Sequence, residues 1–346
     1  MLRPGALIVA AGAAALFTVS CSNPTARAPA TPLLASPVLA APGGSTIDRR
    51  LQQLADEEVE RTVAEWQPAA ATIVVLDPAT GEILASAGRA HGAPAEVAAQ
   101  RAYVPGSTFK PVLLAAALEE GVVTPSDRID CENGTRAYGD LVLRDTGAYG
   151  TLTVPEMVAV STNIGFAKIF DRLGGERLGR WLRRFHFGTA PAIAGAAAGE
   201  LPARIEDRSF EGAAVAIGEG GMTATPLQLA AVYAALASDG VYHAPTLMRR
   251  ERAPGEVLLK PSTARAVVAM LEQAVSGERG HSALARIAGV RVAGKTGTAA
   301  WLPDGSPGAY ARFVILVGVE SPRGGEGGGK VAAPVFARIA SRALGG

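Results

Sequence analysis

Ser107 and Lys110 stand three residues apart in VPGSTFKP, where a loop gives way to the apolar run KPVLLAAALEEG. Residues three apart on a helix differ by about 60° around its axis, so the two side chains share a face. A serine in the first helical turn meets unpaired N–H groups that favour developing negative charge. A lysine can accept the serine proton only if burial or another cation lowers its pKa. In isolation the pair reads first as a capping serine and a surface lysine, since a motif this short occurs in almost any chain.

Two further polar stretches bear on that choice. VAVSTNIGFAKIF carries Ser161 and Asn163 either side of one residue, inside an apolar helical context. VRVAGKTGTAAW carries Lys295, Thr296, Gly297 and Thr298 on an expected strand, where Gly297 would let a substrate backbone lie close to the strand edge. The plain alternatives are a helix start for the first and a turn for the second. Residues Gly289 to Thr296, GVRVAGKT, also satisfy the phosphate-loop pattern G-x-x-x-x-G-K-[ST]. That motif needs a loop opening a helix, whereas VRVA alternates like a strand and TGTAAWLPDG does not start a helix.

The elements that must position these residues can be traced from the pattern. Structure is expected to begin near Thr46, with an N-cap at Ser45 or Thr46 and a helical stripe of Ile47, Leu51, Leu54, Val59 and Val63. ATIVVLDPATGEILASAG then reads as a hairpin around a Pro- and Gly-containing turn. Between Lys110 and Val275 the segments are mostly helical and Ala-rich, and in TATPLQLAAVYAALASDG Thr225 caps a helix whose first position is Pro226. Strand signals return in GVRVAGKTGTA and ARFVILVGVE, before a final helix, VAAPVFARIASRAL. This order predicts an α+β fold: an antiparallel sheet built from both chain ends and flanked by helices, with an inserted helical lobe and a site at the seam. The sheet lobe would comprise residues 46–104 and 286–346, and the helical lobe about 105–285.

Composition narrows the partners. Hydrophobic residues make up 48% and charged residues 19%, with a formal charge of +1, so the chain is a folded protein without the basic excess of a nucleic-acid binder. The four histidines and two cysteines show no metal-ligand spacing, and neither a metal nor a cofactor is expected. With Cys21 near the N-terminus, Cys131 has no disulfide partner. Ala6 to Ser20 is uncharged and apolar, follows Arg3, and falls short of the about 20 residues of a membrane span, which suits a secretory signal. Cys21 directly after it resembles the lipidated cysteine of a bacterial lipoprotein. The signal would then be residues 1–21, and the Pro/Ala-rich residues 22–45 a tether to the membrane. Cleavage after Ala28 and an uncleaved anchor are the alternatives. Either cleavage places the protein outside the cytoplasm, on the periplasmic or equivalent face.

The three stretches, in this order, resemble the S-x-x-K, S-x-N and K-T-G signature of penicillin-recognising serine acyltransferases. TIDRRLQQLADEEVE with VVLDPATGEILA resembles the opening of the transpeptidase domain of penicillin-binding proteins. GEGGMTATPLQLAAVYAALASDG and AAPVFARIA resemble its later segments, so the likeness runs from Thr46 to the C-terminus. It implies a peptidoglycan D,D-transpeptidase or carboxypeptidase, with stem peptides as substrates and β-lactams as covalent inhibitors. Ser107 would be the nucleophile, Lys110 the base and Ser161 a proton relay. Lys295 would supply charge, Asn163 would grip a substrate amide, and Thr296 and Thr298 the substrate carboxylate. The N–H groups of Ser107 and Thr298 would form the oxyanion hole. One departure is that only AYARFVILVGVE stands where the family has an aromatic-rich strand and a last one, so a strand is expected to be shortened or merged, with Trp301 filling part of the cleft. A class D-like β-lactamase is the rival, although it would have an apolar residue in place of Asn163 and no class A deacylating Glu motif is found. A non-catalytic sensor or scaffold that binds muropeptide or penicillin is the other.

Overall fold

The computed structural model describes residues 6–14, 44–249, 254–277, 283–295, 298–302, 311–320, 322 and 328–344. Its main sheet has seven strands: β1 (Ala6–Ala14), β2 (Ala70–Leu76), β3 (Ile83–Ala90), β4 (Ala93–Pro94), β5 (Arg291–Lys295), β6 (Thr298–Leu302) and β7 (Ala311–Glu320). Their spatial order is β5-β6-β1-β7-β2-β3-β4, antiparallel throughout except for β1 against β7. The sheet therefore draws on both ends of the chain, as the pattern predicts.

The expected hairpin is β2 and β3. Its turn is fixed by Asp77, whose carboxylate accepts the Ala79 N–H and whose carbonyl accepts that of Gly81, both at 2.8 Å. Gly81 has φ +75°, and a Cβ there would lie 2.6 Å from the Ala244 carbonyl oxygen, so only glycine fits. Strand β2 is buried along its whole length because helices cover both faces of the sheet.

On one face lie α1 (Arg49–Trp66) and α9 (Gly328–Leu344). Helix α1 buries Leu51, Leu54 and Val59, members of the predicted stripe. Its N-cap is Asp48, accepting the Leu51 N–H at 2.9 Å, rather than Ser45 or Thr46. The Thr46 hydroxyl instead donates to the Ile83 carbonyl at 2.7 Å, tying the entering chain to the sheet. Between the two helices the Glu58 side chain is fully buried and meets Arg338 at 2.8 Å.

Against the other face pack α7 (Pro226–Ala237) and α8 (Pro261–Ser276), and onto α8 the helices that lead to the site: α2 (Lys110–Glu119) and α3 (Val154–Val160), followed outward by α4 (Asn163–Leu173), α5 (Gly175–Arg184) and α6 (Phe210–Ala216). Helix α7 is buried on every side and begins as predicted, with Thr225 and Gln228 forming a reciprocal capping box and Pro226 following. Three two-stranded ribbons interrupt the mostly helical region: 128–130 with 151–153, 135–138 with 141–144, and 241–242 with 256–257. Strands of two to four residues are too short to show alternation, which is why the sequence pattern misses them.

The two departures lie at the sheet's other half. Ala6–Ala14, part of the run read as a signal, forms β1 between β6 and β7. An uncharged run of Ala, Leu, Ile and Val suits a buried strand as well as an export segment, so composition does not separate them. The stretch expected as one strand from Lys295 to Thr298 is divided between β5 and β6, with Lys295 opposite Thr298. Too few β-prone residues lie between Lys295 and β7 for a further long strand, and Thr298–Leu302 takes that part. Among the described residues no helix is long and apolar enough to cross a membrane.

Candidate active site

Gly106–Phe109 forms a 3-10 turn that runs into α2, and Ser107 sits within it, partly exposed. The turn is held from outside. Gly106 N–H donates to the Gly218 carbonyl at 2.9 Å, and the buried Tyr233 hydroxyl of α7 donates to the Thr108 carbonyl at 2.7 Å. A Cβ on Gly218 would come within 2.1 Å of the Gly106 oxygen, so glycine is required for this contact. Pre-organised backbone at this point keeps the serine fixed relative to the helix N-terminus.

Lys110, at the start of α2, is fully buried. Its Nζ donates to Ser161 O at 2.6 Å, to Asn163 Oδ1 at 2.7 Å and to Ser161 Oγ at 3.2 Å, and lies 5.6 Å from the centre of the Phe166 ring. Burial lowers its pKa from 10.5 to about 7, against the opposing charges of Asp145 and Glu219. Near neutrality a large share of these amines is unprotonated and able to receive a proton. The S-x-x-K and S-x-N stretches, distant in the chain, are thus one cluster.

Ser161 ends α3 in the left-handed region, φ 58°, and Thr162 caps α4. That sharp reversal turns the Ser161 hydroxyl and the Asn163 amide to the same lysine. Asn163 Nδ2 also donates to Arg144 O at 2.7 Å, which leaves one N–H for any further partner. Neither Ser161 nor Asn163 merely begins a helix.

Asp145 holds this reversal, and the sequence pattern did not single it out. One carboxylate oxygen accepts the Thr162 hydroxyl at 2.6 Å. The other accepts the backbone N–H of Asn163 and, at 3.3 Å, that of Ile164. Asp145 follows the hairpin of residues 135–144, itself invisible in the pattern, so its nearness to α4 could not be inferred locally.

Lys295 ends β5 with its side chain buried and its Nζ without a hydrogen-bond partner among the described residues. Burial, and then the charge of Lys110, holds its pKa well below the ordinary lysine range. Two buried lysines in one field oppose each other's protonation. A strand, not a loop, precedes Lys295, and another strand rather than a helix follows at Thr298, which removes the phosphate-loop reading. Thr298 lies opposite Lys295 in the backbone register. Thr296, Gly297 and Cys21 lie outside the described residues, as do the side chains of Thr298 and Trp301.

Residues 71–341 match the family model described as the penicillin binding protein transpeptidase domain. The chain is 32% identical over 325 residues to the peptidoglycan D,D-transpeptidase FtsI of Escherichia coli K12, covering 85% of this chain and 54% of the relative. It is also 32% identical over 330 residues to a probable peptidoglycan D,D-transpeptidase, PenA, of Neisseria meningitidis serogroup A, covering 86% and 56%. The chain spans about half the length of these curated relatives. Among solved structures, the TP domain of Burkholderia pseudomallei penicillin-binding protein 3 superposes with a TM-score of 0.77 at 31% identity, covering 88% of this chain and 98% of that one.

Proposed function

Because the chain belongs to the penicillin-binding protein transpeptidase domain family, we propose that it is a peptidoglycan D,D-transpeptidase working through an acyl-enzyme on Ser107. The observation that carries this reading is the buried Lys110 amine, three residues from Ser107 and hydrogen-bonded to both Ser161 and Asn163.

The Lys110 amine takes the Ser107 proton as the serine oxygen attacks the carbonyl of a D-alanyl-D-alanine end. Ser161, within reach of Lys110, passes a proton to the departing D-alanine. The spare N–H of Asn163 meets a substrate carbonyl. Lys295 draws in the terminal carboxylate, to which Thr296 and Thr298 add hydroxyl donors beside Gly297. The N–H groups of Ser107 and Thr298 form the oxyanion hole, where one donor is typically worth about 3 kcal/mol. An amine of a neighbouring stem, or water in a carboxypeptidase reaction, then releases the acyl group. A β-lactam follows the same first step and remains attached.

The test supplies a thioester analogue of a D-alanyl-D-alanine peptide with a D-amino acid as acceptor. Transfer to the amine alongside hydrolysis is expected. Binding of the peptide without any turnover would favour the sensor or scaffold reading, and fast penicillin hydrolysis would favour the β-lactamase one. The site faces the outside of the cytoplasm if the N-terminal run directs export and a lipid on Cys21 anchors the tether. Cys21→Ser would then move the protein from the membrane fraction to the soluble one, and no change would reject lipidation.

A further inference from the structure

The ribbon of residues 135–144 does more than carry Asp145 to α4. Side chains alternate along its strands, so Thr135, Ala137, Val142 and Arg144 share one face, with Thr135 opposite Arg144 and Ala137 opposite Val142. The other face is taken up by the fold. There Arg136 pairs with Asp171 of α4 at 2.6 Å, Tyr138 meets the Phe210 ring of α6 edge-on, and Leu143 is buried. The four residues of the first face are all exposed.

Arg144 is the one charge on that outer face. Among the described residues its guanidinium has a single hydrogen bond, to the Thr135 hydroxyl at 3.5 Å, and no ion pair. The acids nearest in the chain do not neutralise it: Asp145 is engaged by α4, and Asp140 lies at the far turn of the ribbon. The same residue is tied to the catalytic cluster through its backbone. Asn163 meets Lys110 Nζ with its oxygen and the Arg144 carbonyl with its amide nitrogen, both at 2.7 Å.

The two hydrogens of one planar amide nitrogen diverge by about 120°, so two carbonyls accepting from it lie about 5 Å apart, the spacing of neighbouring β-strands. With Arg144 on one hydrogen and a substrate carbonyl on the other, the substrate backbone runs beside Arg144 at strand distance. Side chains on neighbouring strands interact at that spacing. The scissile carbonyl occupies the oxyanion hole and the terminal carboxylate faces Lys295. The carbonyl left for Asn163 is therefore that of the residue before D-alanyl-D-alanine.

We propose that Arg144 is a specificity residue that binds a carboxylate on the side chain of that preceding residue. The preferred donor is then a stem peptide with a free acid there, rather than an amide or an amine. This rests on the acyl-enzyme reading of Ser107. A guanidinium can hold a carboxylate through two parallel hydrogen bonds, and the exposed Val142 on the same face gives the aliphatic part of such a side chain an apolar surface. Arg144 and Lys295 grip the donor by two negative charges, one on either side of the bond that breaks. The backbone carbonyl of residue 144 holds Asn163 whatever side chain stands there, so substitution separates charge from geometry.

The experiment compares two thioester donors, with glutamate or glutamine before the D-alanyl thioester, a pair that differs in one charge and hardly in shape. The readout is the ratio of their kcat/KM values for thiol release, taken within each variant so that a general loss of activity cancels. The unmodified chain should favour the glutamate donor about fivefold, the upper end for a charge pair open to solvent, and the ratio should fall toward one at high salt. Arg144→Gln should remove the preference, and Arg144→Glu should favour the glutamine donor. A ratio near one in the unmodified chain, a ratio insensitive to salt, an unchanged ratio in either variant, or loss of all turnover in both would each overturn the proposal. Benzylpenicillin carries no acid on its amide side chain and reports on Ser107 alone. No penicilloyl adduct on the unmodified chain would refute the acyl-enzyme reading, whereas an adduct with equal donor rates refutes only the role of Arg144.

Discussion

Lys110 is the residue whose environment decides most. With three oxygen acceptors around it and burial lowering its pKa to about 7, it titrates near neutrality. Acylation needs its neutral form, so the second-order rate constant for penicillin should climb with pH and level off above a midpoint of about 7. A rate constant unchanged down to pH 5 would show that Lys110 is not the base. The linkage to stability has the same sign. The unfolded chain, with lysine at 10.5, binds more protons than the folded one between about 7 and 10.5, so Lys110 makes stability rise with pH across that window. Lys295 is costlier still, a buried amine with no hydrogen-bond partner among the described residues. Burying an amine without a hydrogen-bond partner carries a desolvation cost that an apolar side chain of similar size does not. Lys295→Met should therefore raise the melting temperature while lowering acylation, and a lower melting temperature would mean Lys295 is paired within the fold.

At the level of elements, the reversal between α3 and α4 is the part that aims the site. Asp145 accepts the first two N–H groups of α4 and the hydroxyl of its cap, Thr162, and so fixes Thr162 and Asn163 together. Asp145→Ala removes a cap and strands a buried hydroxyl, which should cost about 2 kcal/mol in chemical denaturation. Asp145→Asn keeps much of the shape but removes a charge that raises the Lys110 pKa, so the acid limb of acylation should move to lower pH. A limb that stays in place would limit Asp145 to a structural part. This is also where legibility in the sequence divides. The turn and helix carrying Ser107 and Lys110 were readable because their geometry is local, as were the Thr225 cap and the DPATG turn. Asp145 was not, because its role depends on a ribbon of four-residue strands bringing it to a helix that starts 18 positions later. The Gly218 wedge was hidden for the same reason: a contact between Gly106 and Gly218 has no periodicity to betray it.

Over the whole molecule, the sheet joins the two chain ends and supports a helical layer whose buried α7 anchors the serine turn. The fold class followed from element order, since strands at both ends with helices between have few ways to close a sheet. What element order left open was the slot between β6 and β7, occupied by Ala6–Ala14. Removal of a signal before Cys21 would take this strand away. In a chain starting at Gly44, the β7 amides that face β1 should exchange hydrogen faster, while those paired to β2 stay protected. Penicillin acylation should survive in that shorter chain, because none of Ser107, Lys110, Ser161 or Asn163 lies on β1. Its loss would make the N-terminal strand part of the working enzyme.

The central claim is that Ser107 is the acylated residue and Lys110 the group that enables it. The most direct measurement is intact mass after incubation with benzylpenicillin, followed by peptide mapping of the adduct. The account predicts one penicilloyl group, on the peptide containing Ser107, absent in Ser107→Ala and formed far more slowly in Lys110→Met with its fold intact. An adduct on any other residue, or acylation of Ser107→Ala at the rate of the unmodified chain, would contradict it.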